Sequence, residues 1–308
     1  RGAARHHEAG KRIEAMAPHL LKGWRAAGAF VVCFLPALFG FFLPLFVLFE
    51  MALTSGQNPF TDRYLHFIAN SLTVATLAAI VTLLGAVLIG YRARLFPSKL
   101  AERTKLLTSI GYAMPGGVIA VGLLVPFTAF DRALNDFMKT QFDTATGAVL
   151  SGSIAILIFA YAVRFMAAAL SSFDTGMSAI RTNVDAVSRS LGAGTARIIT
   201  KVHLPLMRAS LLTGLLIVFV DTMKELPATL ILRPFNFDTL AVQAYRLASD
   251  ERLAQAAVPS LVIVAFGLLP VIVLCFTIAQ SRPKHHSEAS GNSKSPQPEA
   301  AGLMVNQQ

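Results

Sequence analysis

The sequence predicts an all-α membrane protein with six transmembrane helices. Three observations carry this. Only 14% of the 308 residues are charged, whereas a soluble domain carries about 25%. The charge is missing in long blocks, each near or beyond the ~20 residues that cross a bilayer as a helix. Basic residues gather in alternate connections, the pattern of a chain whose Lys and Arg stay on the cytoplasmic side during insertion.

Residues 26–49, 64–91, 106–130, 144–163 and 253–281 contain no Asp, Glu, Lys or Arg. A sixth apolar segment, 209–232, is interrupted by Asp221, Lys224 and Glu225. A soluble protein built on buried core helices is the alternative. Such helices rarely run past ~20 residues without a polar face, and these segments lack one. A net charge of +10 raises the question of nucleic acid. The charge is concentrated before the first span, in 92–105 and in 181–208, while the other connections are sparse in it or mixed. It therefore reads as topology, with both termini cytoplasmic and no nucleic-acid partner.

The expected organisation is a polar cytoplasmic head or connector (1–24), a six-helix transmembrane domain (25–280) and a disordered cytoplasmic tail (281–308) rich in Ser, Pro and charge. Trp24 and Arg25 suit the membrane boundary. Pro36, Gly40 and Pro44 are expected to kink the first span. Small residues, Gly85 and Gly90 in the second span and Gly116 and Gly117 in the third, allow close helix approach in lipid. Cys33 and Cys275 lie inside apolar blocks and show no disulfide or zinc spacing. The pairs His6–His7 and His285–His286 fall in polar termini without the support a metal site needs. No cofactor is expected. The chain begins with Arg1 rather than Met, which is expected of part of a longer chain or of a processed or trimmed form.

Between the fourth and fifth apolar segments lies "NVDAVSRSLGAGTARIITKVHLP", residues 183–205. Val184, Val187 and Leu191 are spaced to share one helical stripe. Asp185 stands near the helix start, where an acid suits the dipole. Gly192 and Gly194 allow the backbone to leave the helix, and Pro205 opens the fifth span. The expected shape is a short amphipathic helix, a sharp corner and a helix returning to the membrane. An apolar stripe beyond the bilayer fits a groove on a soluble partner. Burying two or three such side chains contributes roughly 1.5–3 kcal/mol each. A helix resting on lipid, or a plain loop, remains open on spacing alone.

The same residues resemble the loop signature of ATP-binding-cassette importer permeases. There a Glu-Ala-Ala triplet precedes a Gly by three residues, and nine more separate that Gly from an aliphatic residue, any residue, Leu and Pro. Gly192 takes the glycine, and Val202, His203, Leu204 and Pro205 fall at the required distance. The triplet departs: Ala186, Val187 and Ser188 stand there, with the acid displaced to Asp185. "DTMKELPATLILRPFNFDTLAV", from Asp221, is similar to ferric-iron-type permeases, as are "YAVRFMAAAL" and "GYAMPGGVIAVGLL". The resemblance spans about residues 25–280 and fits the C-terminal half of a fused two-half permease. It implies a type I ABC importer bundle in the bacterial inner membrane, surrounded by lipid, which makes no chemical bond itself. It also implies ABC ATPase subunits docked on Val184, Asp185, Val187, Ser188, Leu191, Gly192, Val202, Leu204 and Pro205. A second permease half and a periplasmic substrate-binding protein would complete the importer. Ferric iron is the favoured solute, with thiamine, a phosphonate or another small solute as alternatives.

Charges in the fifth span form a second candidate site. Asp221 falls about 13 residues in, ~20 Å along the helix. Asp221, Lys224 and Glu225 are spaced to share a face if the helix continues, and Pro227 breaks it. A charge at mid-membrane costs ~2.5–3.5 kcal/mol, so these groups must pair or line water. A substrate pathway or gate and a structural ion pair both remain open. Arg164 is expected to snorkel to the cytoplasmic face. A secondary transporter driven by an ion gradient would use the same acids and need no docking loop. An intramembrane enzyme lacks the expected motifs: no HExxH stands in the chain.

Overall fold

The computed structural model describes residues 21–95, 98–181 and 183–281. The expected head, apart from residues 21–24, and the expected tail, apart from Ser281, lie outside the described residues. Among the described residues the regular structure is entirely helical. Six helical segments are long and apolar enough to cross a membrane: Trp24–Thr54, Asp62–Leu95, Gly116–Phe142, Ile154–Ser178, Thr195–Met223 and Leu253–Val273.

The first segment consists of α1 (Trp24–Ala37), a wide π-helical turn (Leu38–Phe42) and α2 (Leu43–Thr54). The fifth has the same device: α8 (Thr195–Ile198), a π turn (Ile199–His203) and α9 (Leu204–Met223). Both π turns end two residues before a proline, Pro44 and Pro205. Proline has no N–H and its ring clashes with the carbonyl four residues back. One widened turn relieves that clash: the Leu43 N–H donates to the Leu38 carbonyl, and the Leu204 N–H to that of Ile199. The expected kink in the first span is thus a widened turn within a continuous helical segment.

α3 (Asp62–Leu95) has 34 residues, about 51 Å at 1.5 Å per residue. It exceeds the ~30 Å hydrocarbon layer, so Arg94 in its last turn can lie beyond the layer. The third span is not the continuous 106–130 run expected. α4 (Lys99–Ala113) stops at Met114, whose backbone is extended before Pro115, and α5 begins at Gly116 and continues to Phe142. Proline disfavours helical geometry in the residue before it, so Pro115 ends one helix and caps the next. Residues 131–142, expected as a connection, are therefore helical. Asp131 is buried there and ties the following connection, accepting from the Ser151 N–H (2.7 Å), the Ser151 hydroxyl (2.6 Å) and the Leu150 N–H (3.0 Å).

The remaining helices are α6 (Ile154–Ser178), α7 (Asn183–Ser190), α10 (Pro227–Leu232), α11 (Leu240–Ser249) and α12 (Leu253–Ser281). The described residues divide into two compact units, 21–70 with 238–264, and 71–237 with 265–281. In the first, α1 and α2 bury no residue, and Phe30 and Phe34 stack at 5.5 Å on their bare apolar surface. Such a surface suits lipid rather than water. Its 238–264 part is better covered, with Leu240, Val242 and Ala257 buried, and the Asn70 amide donates to the Asp238 carbonyl at 3.0 Å.

The second unit is built on α6, which packs against α4, α5, α9 and α10. Ala75, Ala78, Ala79 and Ala86 of α3 are buried, as are Ala160 and Ala169 of α6. Small side chains let helix backbones meet closely where lipid offers no hydrophobic drive. Apolar clusters result among the described residues. One lies around Ile156, Leu157, Tyr161 and Val218; another comprises Tyr91, Phe173, Met177, Ile180 and Met207.

Candidate functional site

The corner at 183–205 belongs to the second unit. α7 is one polar helix of eight residues, and its faces differ from the expected stripe. Val184 turns inward and packs on the Tyr91–Phe173–Met207 cluster. Val187 and Leu191 point outward, 57% and 81% exposed. Residues 184, 185 and 188 are half-buried, whereas 183, 186, 187, 190 and 191 are exposed. The three-residue step from 184 to 187 falls short of a full turn, enough to carry Val187 over the edge of the buried face. Ser188 donates its hydroxyl to the Val184 carbonyl at 2.7 Å, while Val202 and Leu204 are half-buried and Pro205 exposed.

The end of α7 is a two-bond stop. Gly192 has φ +78°, its N–H donates to the Arg189 carbonyl, and the Ala193 N–H donates to that of Ser188. This closure needs a left-handed residue after the last turn, and glycine supplies it without a Cβ penalty. Gly194 departs from expectation: its φ of −68° and ψ of 161° are open to any residue.

Asp185 is engaged within the chain. Its Oδ2 accepts from Arg94 Nη2 at 2.9 Å and Nε at 3.3 Å, and its Oδ1 from His203 Nε2 at 2.7 Å. His203 is 3% exposed and lies flat on Tyr91, ring centroids 5.8 Å apart. The carboxylate can only accept, so His203 Nε2 carries the hydrogen; Nδ1 is buried with no hydrogen-bond partner among the described residues. Burial pushes the Asp185 carboxyl up, but the hydrogen bonds from Arg94 and His203 outweigh it and hold the group below the usual Asp range. A carboxyl lowered in the folded state contributes stability above its ordinary range and loses it as the pH falls through the lowered value. The clasp therefore holds throughout neutral pH.

The charges of the fifth span do not form one cluster. α9 ends at Met223, so the four-residue relation between Asp221 and Glu225 is broken. Asp221 pairs with Lys224 at 2.9 Å, and the Lys224 side chain is 64% exposed. Glu225 turns the other way, is 7% exposed, and pairs with Arg164 at 3.5 Å. Its carbonyl accepts from the Thr229 hydroxyl at 2.6 Å, and Thr229 in turn bonds Tyr161. Pro227 opens α10. Arg164, expected to snorkel, sits mid-helix in α6 and is paired across the bundle instead, with a buried acid within reach.

Gly116, at the start of α5, makes room for this pair. A Cβ there would lie 2.2 Å from Glu225 Oε1 and 2.3 Å from Arg164 Nη1. Gly116→Ala must push both charged groups away, and overpacking of this kind costs about 1–3 kcal/mol. The expected result is a lower thermal midpoint for the detergent-purified variant; an unchanged midpoint would contradict the packing described.

Sequence reasoning did not find Arg94, His203 or Asp131. The tripartite clasp joins residues separated by 91 and 18 positions, beyond any local periodicity. The one available signal was that Asp185 is the single acid of 183–205 among Arg189, Arg197 and Lys201, which suggests a basic partner without saying which.

Apolar spans and charges neutralised between helices define an integral membrane protein, and its 183–205 corner presents two exposed apolar residues, Val187 and Leu191. Residues 85–282 match the family described as binding-protein-dependent transport system inner membrane component, and the chain belongs to that family. It is 26% identical over 213 residues to the Fe(3+)-transport system permease protein FbpB 2 of Haemophilus influenzae, covering 69% of this chain and 39% of that one. The chain thus spans about two fifths of that relative's length. It is 27% identical over 267 residues to the putative 2-aminoethylphosphonate transport system permease protein PhnV of Salmonella typhimurium, covering 82% of this chain and 94% of the other. The fold is shared with a bacterial ABC transporter involved in import of the acidic polysaccharide alginate. The match has a TM-score of 0.60 and 15% identity, and covers 84% of this chain and 95% of that one.

Proposed function

We propose that the chain is a permease subunit of an ATP-driven importer, lining part of a solute pathway and docking an ABC ATPase through α7. The observation that carries this is the outward pair Val187 and Leu191 on a helix closed at Gly192, in a chain of the binding-protein-dependent family. On this reading the 183–205 corner and both termini are cytoplasmic, ATP hydrolysis belongs to the separate ATPase, and this chain makes no chemical bond and holds no cofactor. A second permease half completes the pathway and a periplasmic binding protein delivers the solute. ATP binding must favour one of two states; moving a population from 1:99 to 99:1 needs about 5.5 kcal/mol of differential binding.

Ferric iron is the proposed solute, supported by the Haemophilus relative. A phosphonate is the second reading, favoured by the Salmonella relative that this chain matches over 94% of its length. Selectivity is assigned to the binding protein. The test is uptake into membrane vesicles carrying this chain, its ATPase and its binding protein, with radiolabelled ferric iron and 2-aminoethylphosphonate supplied separately. ATP-dependent accumulation of iron is expected. Accumulation of the phosphonate alone would move the assignment, and uptake that needs no ATP and collapses with a protonophore would overturn the ATP-driven reading.

A further inference from the structure

We propose that Arg94 and His203 are positioning residues that make α7 move as one body with the ends of two spans, α3 and α9. The inference rests on the docking role proposed for α7. Its chain connection to α9 runs through residues 191–194, which are exposed apart from half-buried Ala193. A Cβ at Gly192 or Gly194 would meet nothing within 4 Å, so no side chain packs against the turn at those two positions. The inward face of α7 is different. Asp185 holds Arg94, in the last turn of α3, through two hydrogen bonds, and holds His203, in the π turn that leads into α9, through a third.

The geometry favours transmission over mere attachment. His203 is fixed from both sides, by Asp185 at 2.7 Å and by the parallel ring of Tyr91, which is itself on α3. Val184 packs on the cluster containing Tyr91, Phe173 and Met207, so α3, α6 and α9 all meet beneath α7. A push on the outward face at Val187 therefore reaches α3 through Arg94 and α9 through His203 without crossing the exposed turn. The acid works from position 185 because 185 faces inward; at 186, one residue or about 100° further round, it would be exposed.

The test uses the full transporter in vesicles, reading ATPase co-purification, hydrolysis rate and solute taken up per ATP. Arg94→Ala is expected to retain the ATPase and keep hydrolysis within about twofold, while uptake per ATP falls at least about tenfold. Arg94→Lys, which keeps the charge without the planar two-nitrogen contact, is expected to recover most of that loss. His203→Phe removes the hydrogen bond and keeps a ring on Tyr91; a fall of about threefold is expected, and this variant carries the test if Arg94→Ala does not accumulate. Unchanged uptake per ATP in Arg94→Ala and His203→Phe would overturn the inference. So would loss of the ATPase from either variant, because the clasp would then serve docking and not transmission. Failure of the docking role itself shows separately, as absence of a co-purifying ATPase from the unaltered transporter.

Discussion

Glu225→Ala is expected to lose most folded protein from the membrane and to lower the thermal midpoint of what remains more than any other single change considered. The carboxylate is 8% exposed and its Arg164 partner 22%. Removing it leaves a guanidinium among apolar helices without its counter-charge, a change that typically costs about 3–5 kcal/mol. Arg164 Nη1 already has no hydrogen-bond partner among the described residues, so nothing there stands ready to replace the lost contact. The double variant Arg164→Met with Glu225→Leu should recover stability, because well-packed apolar residues often replace a buried pair at no cost. Comparing stability with uptake in the double variant separates the two readings of this site. Stability and uptake recovered together identify a structural pair. Stability recovered with uptake abolished identifies a pathway or gate. A single variant as stable as the parent would contradict the buried pair altogether.

Gly192→Val is expected to separate hydrolysis from transport. At φ +78° a β-branched side chain is strained whatever space surrounds it, and such strain costs about 1–3 kcal/mol. The closing bonds from the N–H groups of Gly192 and Ala193 would be given up before the strain is accepted, and the last turn of α7, with Leu191, would change direction. The purified transporter should still hydrolyse ATP while uptake per ATP falls about tenfold or more. Gly192→Asn, whose side chain tolerates the left-handed region, should lose much less. Normal accumulation by the valine variant would contradict this account of the corner.

The apolar spans were legible because length and missing charge report directly on the bilayer, and both signals are local. Gly192 was legible for a related reason: a glycine after a short polar helix is the usual means of closing one. The break at Pro115 was legible in principle, but the uncharged run across it hid two separate helices. Partners were not legible. Asp185, Arg94 and His203 stand on three separate elements, and only packing brings them together. Val184 and Val187 look equivalent in a helical projection; the bundle beneath α7 decides which is covered. Glu225 looked like a companion of Asp221 until the end of α9 at Met223 sent it towards Arg164.

The central claim is that α7 seats in an ATPase with Val187 outward and Val184 inward. A photo-crosslinking residue carrying benzophenone, placed at Val187 and separately at Val184 in native membranes, tests it most directly. The account predicts a covalent adduct with the ATPase from position 187, altered by ATP, and none from position 184. No adduct from 187 with any ATPase subunit, while uptake continues without ATP, would contradict it.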